Sequence, residues 1–148
     1  MSDRVVRAAR PAGESGPPEP DTTGRTRLLA ALAALATVGA GLGLRAVATG
    51  DVAKYGGDAL YTLLILTLVV LVAPRTTPAR AAGVALAVSW AVELLQLTGL
   101  PADLSARSTA ARLVLGSTFN APDLFWYAVG ATAGWLALRA PARRRAPR

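Results

Sequence analysis

Three carboxylates in this sequence stand where an ionised group is costly. Glu93 lies in an apolar stretch running from about Ala79 to Leu100; past Arg80 it is the single charge there. It sits about seven residues from the end of that stretch, roughly 10 Å deep at about 1.5 Å per residue. A charge at the centre of a membrane helix costs about 2.5–3.5 kcal/mol on insertion scales, and such groups face a partner or a wet cavity. Gln96 follows three residues later on the same helical face, and Ser89 and Trp90 lie one turn below. The face Ser89/Glu93/Gln96 is therefore expected to point inward, either as a ligand, ion or proton site, or as an interhelical pair with Arg45 or Arg107.

Asp58 closes the run Lys54-Tyr55-Gly56-Gly57-Asp58 and leads into a second apolar stretch. Asp123 is the only charge between Arg112 and Arg139. Both acids also suit the first turn of a helix, where the macrodipole favours negative charge. Asn120-Ala121-Pro122-Asp123 reads as a helix start, with an N-cap residue, an early proline and an acid. Asp103 and Arg107, four apart, make a local helix pair or join the same cluster.

Composition limits the chemistry. The 148 residues are 53% hydrophobic and 17% charged, with no His and no Cys; soluble domains carry about 25% charged residues. Without Cys there are no disulfides, thiol nucleophiles or thiolate metal sites. Without His there are no imidazole bases or Ser-His triads. Carboxylates alone suit Mg or Ca, but no resident metal or cofactor is expected. The net charge of +7 invites a nucleic-acid reading. The arginines, however, cluster at the edges of apolar segments, as membrane topology requires, so no nucleic-acid partner is expected.

The elements that must position these residues are apolar segments. Residues 1–26 are rich in Pro, Gly and charge without apolar period, and are expected to form a disordered tail. A membrane span needs about 20 apolar residues, with a range of about 17–25. The segments predict an all-α integral membrane protein with four transmembrane helices, over about 27–48, 57–73, 79–100 and 121–140. A short amphipathic or re-entrant segment within 102–119 separates the third from the fourth, and residues 141–148 form a basic tail. Ala46-Val47-Ala48 resembles a signal cleavage site, but the apolar run is long and Arg45 adjoins it, so cleavage is not expected.

Twelve Lys and Arg residues fall in the N-terminal tail, the loop with Arg75 and Arg80, and the C-terminal end; four (Arg45, Lys54, Arg107, Arg112) fall on the other side. The positive-inside bias places both termini in the cytoplasm of a plasma-membrane protein. Gly39/Gly43 and Gly130/Gly134 repeat the small-xxx-small spacing that lets helices approach closely in lipid.

Arg45-x12-Asp58, the run Gly56-Gly57-Asp58-Ala59-Leu60-Tyr61, Glu93-x2-Gln96-Leu97, Arg107, Leu115-Gly116-x2-Phe119-x3-Asp123-Leu124 and Gly130 together resemble the domain-of-unknown-function family 2809, over about residues 28–138. That resemblance implies a small bacterial multi-pass membrane protein and no reaction. A more distant similarity is to VanZ-like proteins, which share an acid–x2–Gln, a following Arg and an Asp opening the last helix. Glu93/Gln96, Arg107 and Asp123 match that pattern, while Tyr127 stands where those proteins usually have Asn. The similarity implies a link to the cell envelope and to glycopeptide antibiotic tolerance.

The candidate ligand set is Arg45, Tyr55, Asp58, Glu93, Gln96, Arg107 and Asp123, a polar cluster under the outer surface. Its expected use is to bind a lipid or envelope-glycan headgroup: Arg suits phosphate or carboxylate, and acids suit hydroxyls and amines. The alternatives are a structural subunit with paired intramembrane charges, an enzyme acting on lipids, and a proton-coupled transporter working through Glu93. Expected partners are membrane lipids and a second copy or another membrane protein.

Overall fold

Turn chemistry divides the apolar sequence into helices. In the computed structural model, which describes residues 22–116 and 118–140, the order is α1 (Thr22–Val47), α2 (Gly50–Val72), α3 (Pro78–Leu95), α4 (Leu100–Arg107), α5 (Thr109–Leu115) and α6 (Ala121–Arg139). No strand occurs among the described residues. Thr49 is extended and Gly50 takes φ 61°, so the chain reverses between α1 and α2. Pro74 follows the end of α2. Thr77 caps α3, its hydroxyl accepting from the Arg80 N–H at 3.4 Å, with Pro78 in the first turn. A 3-10 turn, Gln96–Thr98, tightens the end of α3 before Gly99 stops it in the left-handed region.

The boundaries differ from expectation in instructive ways. Helix α1 begins at Thr22 rather than about 27, and Thr26 donates to the Thr22 carbonyl at 2.8 Å. Likewise α2 begins at Gly50 rather than 57. Apolar runs mark where lipid contact starts, whereas helical hydrogen bonding continues into flanking polar residues. The rest of the expected tail and the basic segment 141–148 lie outside the described residues. The single amphipathic segment is two short helices, α4 and α5, split at Ser108, whose hydroxyl caps α5 by accepting from the Ala111 N–H at 3.3 Å.

Three helices are long and apolar enough to cross a membrane: Thr22–Val47, Gly50–Val72 and Pro78–Thr98. Helix α6 is not among them, since Pro122, Asp123, two Trp, one Tyr and two Gly dilute its apolar residues. Helix α2 is the centre of the bundle. It packs against α1, α3 and α6, and α6 also packs against α3. The core joins Ala30, Leu66, Val70, Ala81 and Ala85, and its alanines bring the backbones close. Gly130 sits directly against the Ala59 carbonyl, and Gly134 against Leu63 and Leu66, so the second Gly-x-x-x-Gly is a packing face. Among the described residues the first is not: none of them lies within 4 Å of where a Cβ would stand at Gly39 or Gly43. Helix α1 buries only Ala30, Ala34 and Thr37, and it exposes Leu28, Leu32, Leu35 and Leu42. Such a contiguous apolar face is disfavoured in water and ordinary in lipid.

Candidate functional site

Glu93 is 1% exposed. It lies in the last turn of α3, level with the start of α6. Its Oε1 accepts the Asn120 backbone N–H at 2.6 Å, and its Oε2 accepts the Tyr127 hydroxyl at 3.0 Å. The first turn of a helix leaves N–H groups without intrahelical partners, so a carboxylate there satisfies donors and meets the positive dipole end. The expected pairing of Glu93 with Arg45 or Arg107 is not formed. The Asn120 N–H and the Tyr127 hydroxyl, both from the start of α6, take the carboxylate instead.

Asp123, 5% exposed, forms an ion pair with Lys54 and accepts from the Asn120 side-chain amide. This is the ion pair found among the described residues; Asp103 and Arg107 do not pair. The Lys54 ammonium also lies 5.2 Å from the Tyr55 ring centroid, and Tyr55 stacks on Trp126 with centroids 5.4 Å apart. Beneath Glu93, Ser89 meets the Thr62 hydroxyl at 2.8 Å, which ties α3 to α2. Trp90 donates to the Leu124 carbonyl at 3.0 Å.

Between α1 and α3 at this end lies a cavity of about 530 Å³, lined by residues of α1, α2, α3, α5 and α6. Its polar wall includes Arg45, Asp58, Glu93, Gln96, Arg112 and Asp123; its apolar wall includes Val38, Leu42, Leu60, Leu64 and Val92. Gln96 donates to the Leu115 carbonyl at 2.7 Å, which anchors the α5 end to α3. Gly116, at φ 66°, makes room: a Cβ there would lie 2.6 Å from Gln96 Nε2. Ser105 donates to the Gly116 carbonyl at 2.6 Å and fastens α4 to the same turn. Two buried acceptors on the cavity wall, Asp58 Oδ2 and Gln96 Oε1, have no donor among the described residues.

Of the seven sequence candidates, Arg45, Asp58, Glu93, Gln96 and Asp123 line the cavity. Tyr55 does not; it supports Lys54 and Trp126 from behind. Arg107 is exposed at the end of α4 and away from the wall, and Arg112 of α5 stands there instead. Lys54, Asn120, Arg112 and Tyr127 were not in the candidate set. Tyr127 carried a legible signal, because it follows Asp123 by four residues and so shares its helical face. Asn120 acts through its backbone, which no sequence pattern shows. Among the described residues, no group of three or more carboxylates converges in a way that would hold a metal.

The fold and this wall define an all-helical protein with helices fit for a membrane and a polar cavity near one end of the bundle. The chain belongs to the family described as "Protein of unknown function (DUF2809)", whose model matches residues 47–131, more than half of its length. That match spans α2 to α5 and the first half of α6, a narrower range than the resemblance over about 28–138. It takes in Asp58, Glu93, Gln96 and Asp123 but leaves out Arg45. No curated protein and no solved structure matches the chain.

Proposed function

We propose that this protein is a multi-pass plasma-membrane protein that holds a lipid or envelope-glycan headgroup in the cavity between α1 and α3. The two donor-less acceptors, Asp58 Oδ2 and Gln96 Oε1, carry this reading. A buried acceptor left unpaired costs about 1–3 kcal/mol, and hydroxyl or amine donors on a headgroup would remove that cost. Arg45 and Arg112 on the same wall suit a phosphate or carboxylate on the same ligand. Ligand cavities run from about 300 to 1,000 Å³, and about 530 Å³ falls within that range.

In this reading α6 is a fourth span. Its 19 residues reach about 28 Å at about 1.5 Å per residue, close to the hydrocarbon thickness of about 30 Å. At its far end the Arg139 guanidinium lies 4.5 Å from the Trp135 ring, a pairing suited to a membrane interface. Four spans together with the arginine distribution support cytoplasmic termini and an outward-facing cavity.

Native mass spectrometry of the detergent-extracted protein tests the reading. The wild type should carry a lipid or glycolipid that is lost from folded Asp58→Asn and Gln96→Met variants. A clean apo mass for the wild type, extracted gently from its own membrane, removes it.

A second reading, an assembly subunit, has its own observation: the open face at Gly39 and Gly43 on α1. The chain has no native cysteine, so a Gly43→Cys variant reports directly. Disulfide-linked species formed in membranes would support a helix partner there; a monomeric product would count against it.

A further inference from the structure

The end of the bundle opposite the carboxylates carries a second cavity, of about 420 Å³. Three arginines from three elements surround it: Arg27 from α1, Arg75 from the loop after α2, and Arg80 from the first turn of α3. Thr23 and Thr76 add hydroxyls. None of the three arginines meets a carboxylate among the described residues. Asp58 is separated from Ala73, at this end of α2, by 15 residues, roughly 22 Å at about 1.5 Å per residue. The described acids therefore cannot neutralise this pocket.

We propose that this pocket seats the phosphate headgroup of an anionic phospholipid from the leaflet at that end. Arginine offers a planar fork of donors that matches phosphate oxygens two at a time, and basic pockets between membrane helices on the cytoplasmic side bind anionic headgroups. The surroundings suit a lipid rather than a soluble anion. Leu28, Leu29 and Leu32 on α1 are each more than half exposed just beyond Arg27, and Val72 is exposed at the end of α2. A headgroup held by the arginines would lay its acyl chains along these side chains. The N-terminal end of α3, with Arg80 in its first turn, adds the positive pole of a helix dipole. This site does not depend on the cavity at the other end, and either can fail alone.

The test uses the full chain in mixed micelles containing equal amounts of phosphatidylglycerol and phosphatidylcholine with the same acyl chains, with retained lipid counted by native mass spectrometry. The wild type is expected to retain phosphatidylglycerol in preference. Each Arg→Gln change at 27, 75 or 80 should weaken retention roughly fivefold, and the three together on the order of 100-fold. The series is run in the Arg45→Gln/Arg112→Gln background as well, so that lipid held in the other cavity is not counted, and Arg107→Gln, exposed and off that cavity's wall, should leave retention unchanged. Should the triple variant misfold by circular dichroism, Arg75→Gln alone, in an exposed loop, keeps the test open.

Equal retention of both lipids by the wild type overturns the proposal. So does a folded triple variant that keeps its lipid in that background, or an equal loss in Arg107→Gln. Displacement of the lipid by millimolar inorganic phosphate would also overturn it, by assigning the site to a soluble anion.

Discussion

The Tyr127 hydroxyl donates to Glu93 Oε2 at 3.0 Å, and this bond fastens the first turns of α6 to the last turn of α3. Asn120 reaches the other oxygen through its backbone N–H. Glu93 thus works as a cap for α6 contributed by another helix, and its buried carboxylate is accounted for without a cation. Tyr127→Phe leaves Oε2 without that donor, at a cost of about 1–3 kcal/mol. Thermal unfolding in detergent should show a clear drop for Tyr127→Phe. A drop as small as that of a phenylalanine substitution at Tyr55, which lies off the wall, would refute the role given to the phenol.

Lys54 and Asp123 are coupled unequally. Lys54 is 43% exposed and Asp123 is 8% exposed at the side chain, so the lysine remains partly hydrated after its partner is removed, and the aspartate does not. Lys54→Met should destabilise by about 1–3 kcal/mol, because the aspartate is left buried with only the Asn120 amide. Adding Asp123→Asn to that variant should restore most of the loss. Strictly additive effects in the double-mutant cycle would show that the pair is not coupled.

Two pairs of glycines with the same spacing should respond in opposite ways. A methyl at Gly130 meets the Ala59 backbone, which cannot move aside as a side chain can. Gly130→Ala should therefore cost about 1–3 kcal/mol through overpacking and loosen α2 from α6. Gly39→Ala meets nothing within 4 Å and should be neutral or slightly stabilising, since alanine favours helix. The comparison is read from unfolding midpoints of the two variants side by side.

Topology can be read with single cysteines in this cysteine-free chain. Ala106, exposed on α4, and Ala79, exposed in the first turn of α3, are suitable positions, whereas Ser105 is buried and bonded to Gly116. With both termini inside, Ala106→Cys in intact cells should react with an impermeant maleimide and Ala79→Cys should not. Labelling of Ala79→Cys alone would invert the orientation and place the carboxylate cavity in the cytoplasm.

Much of this could be read from the residues in order. Apolar run lengths, Pro74 and Pro122 marked the four long helices, though not where the first two begin, because span length and backbone punctuation are local properties. The inward face Ser89/Glu93/Gln96 was also legible, since helical periodicity and the cost of a charge in lipid leave it one direction to point. The partners across that face were decided by the tertiary structure alone. Glu93 meets a backbone N–H and a phenol rather than an arginine because α6 starts level with the last turn of α3, a relation between elements 27 residues apart in sequence. Arg112 rather than Arg107 borders the cavity because Ser108 splits one expected segment into two helices. Periodicity assigns each residue to a face of its own helix. Which faces meet, and what space remains between α1 and α3, depends on how closely Ala81, Ala85, Gly130 and Gly134 let the backbones approach.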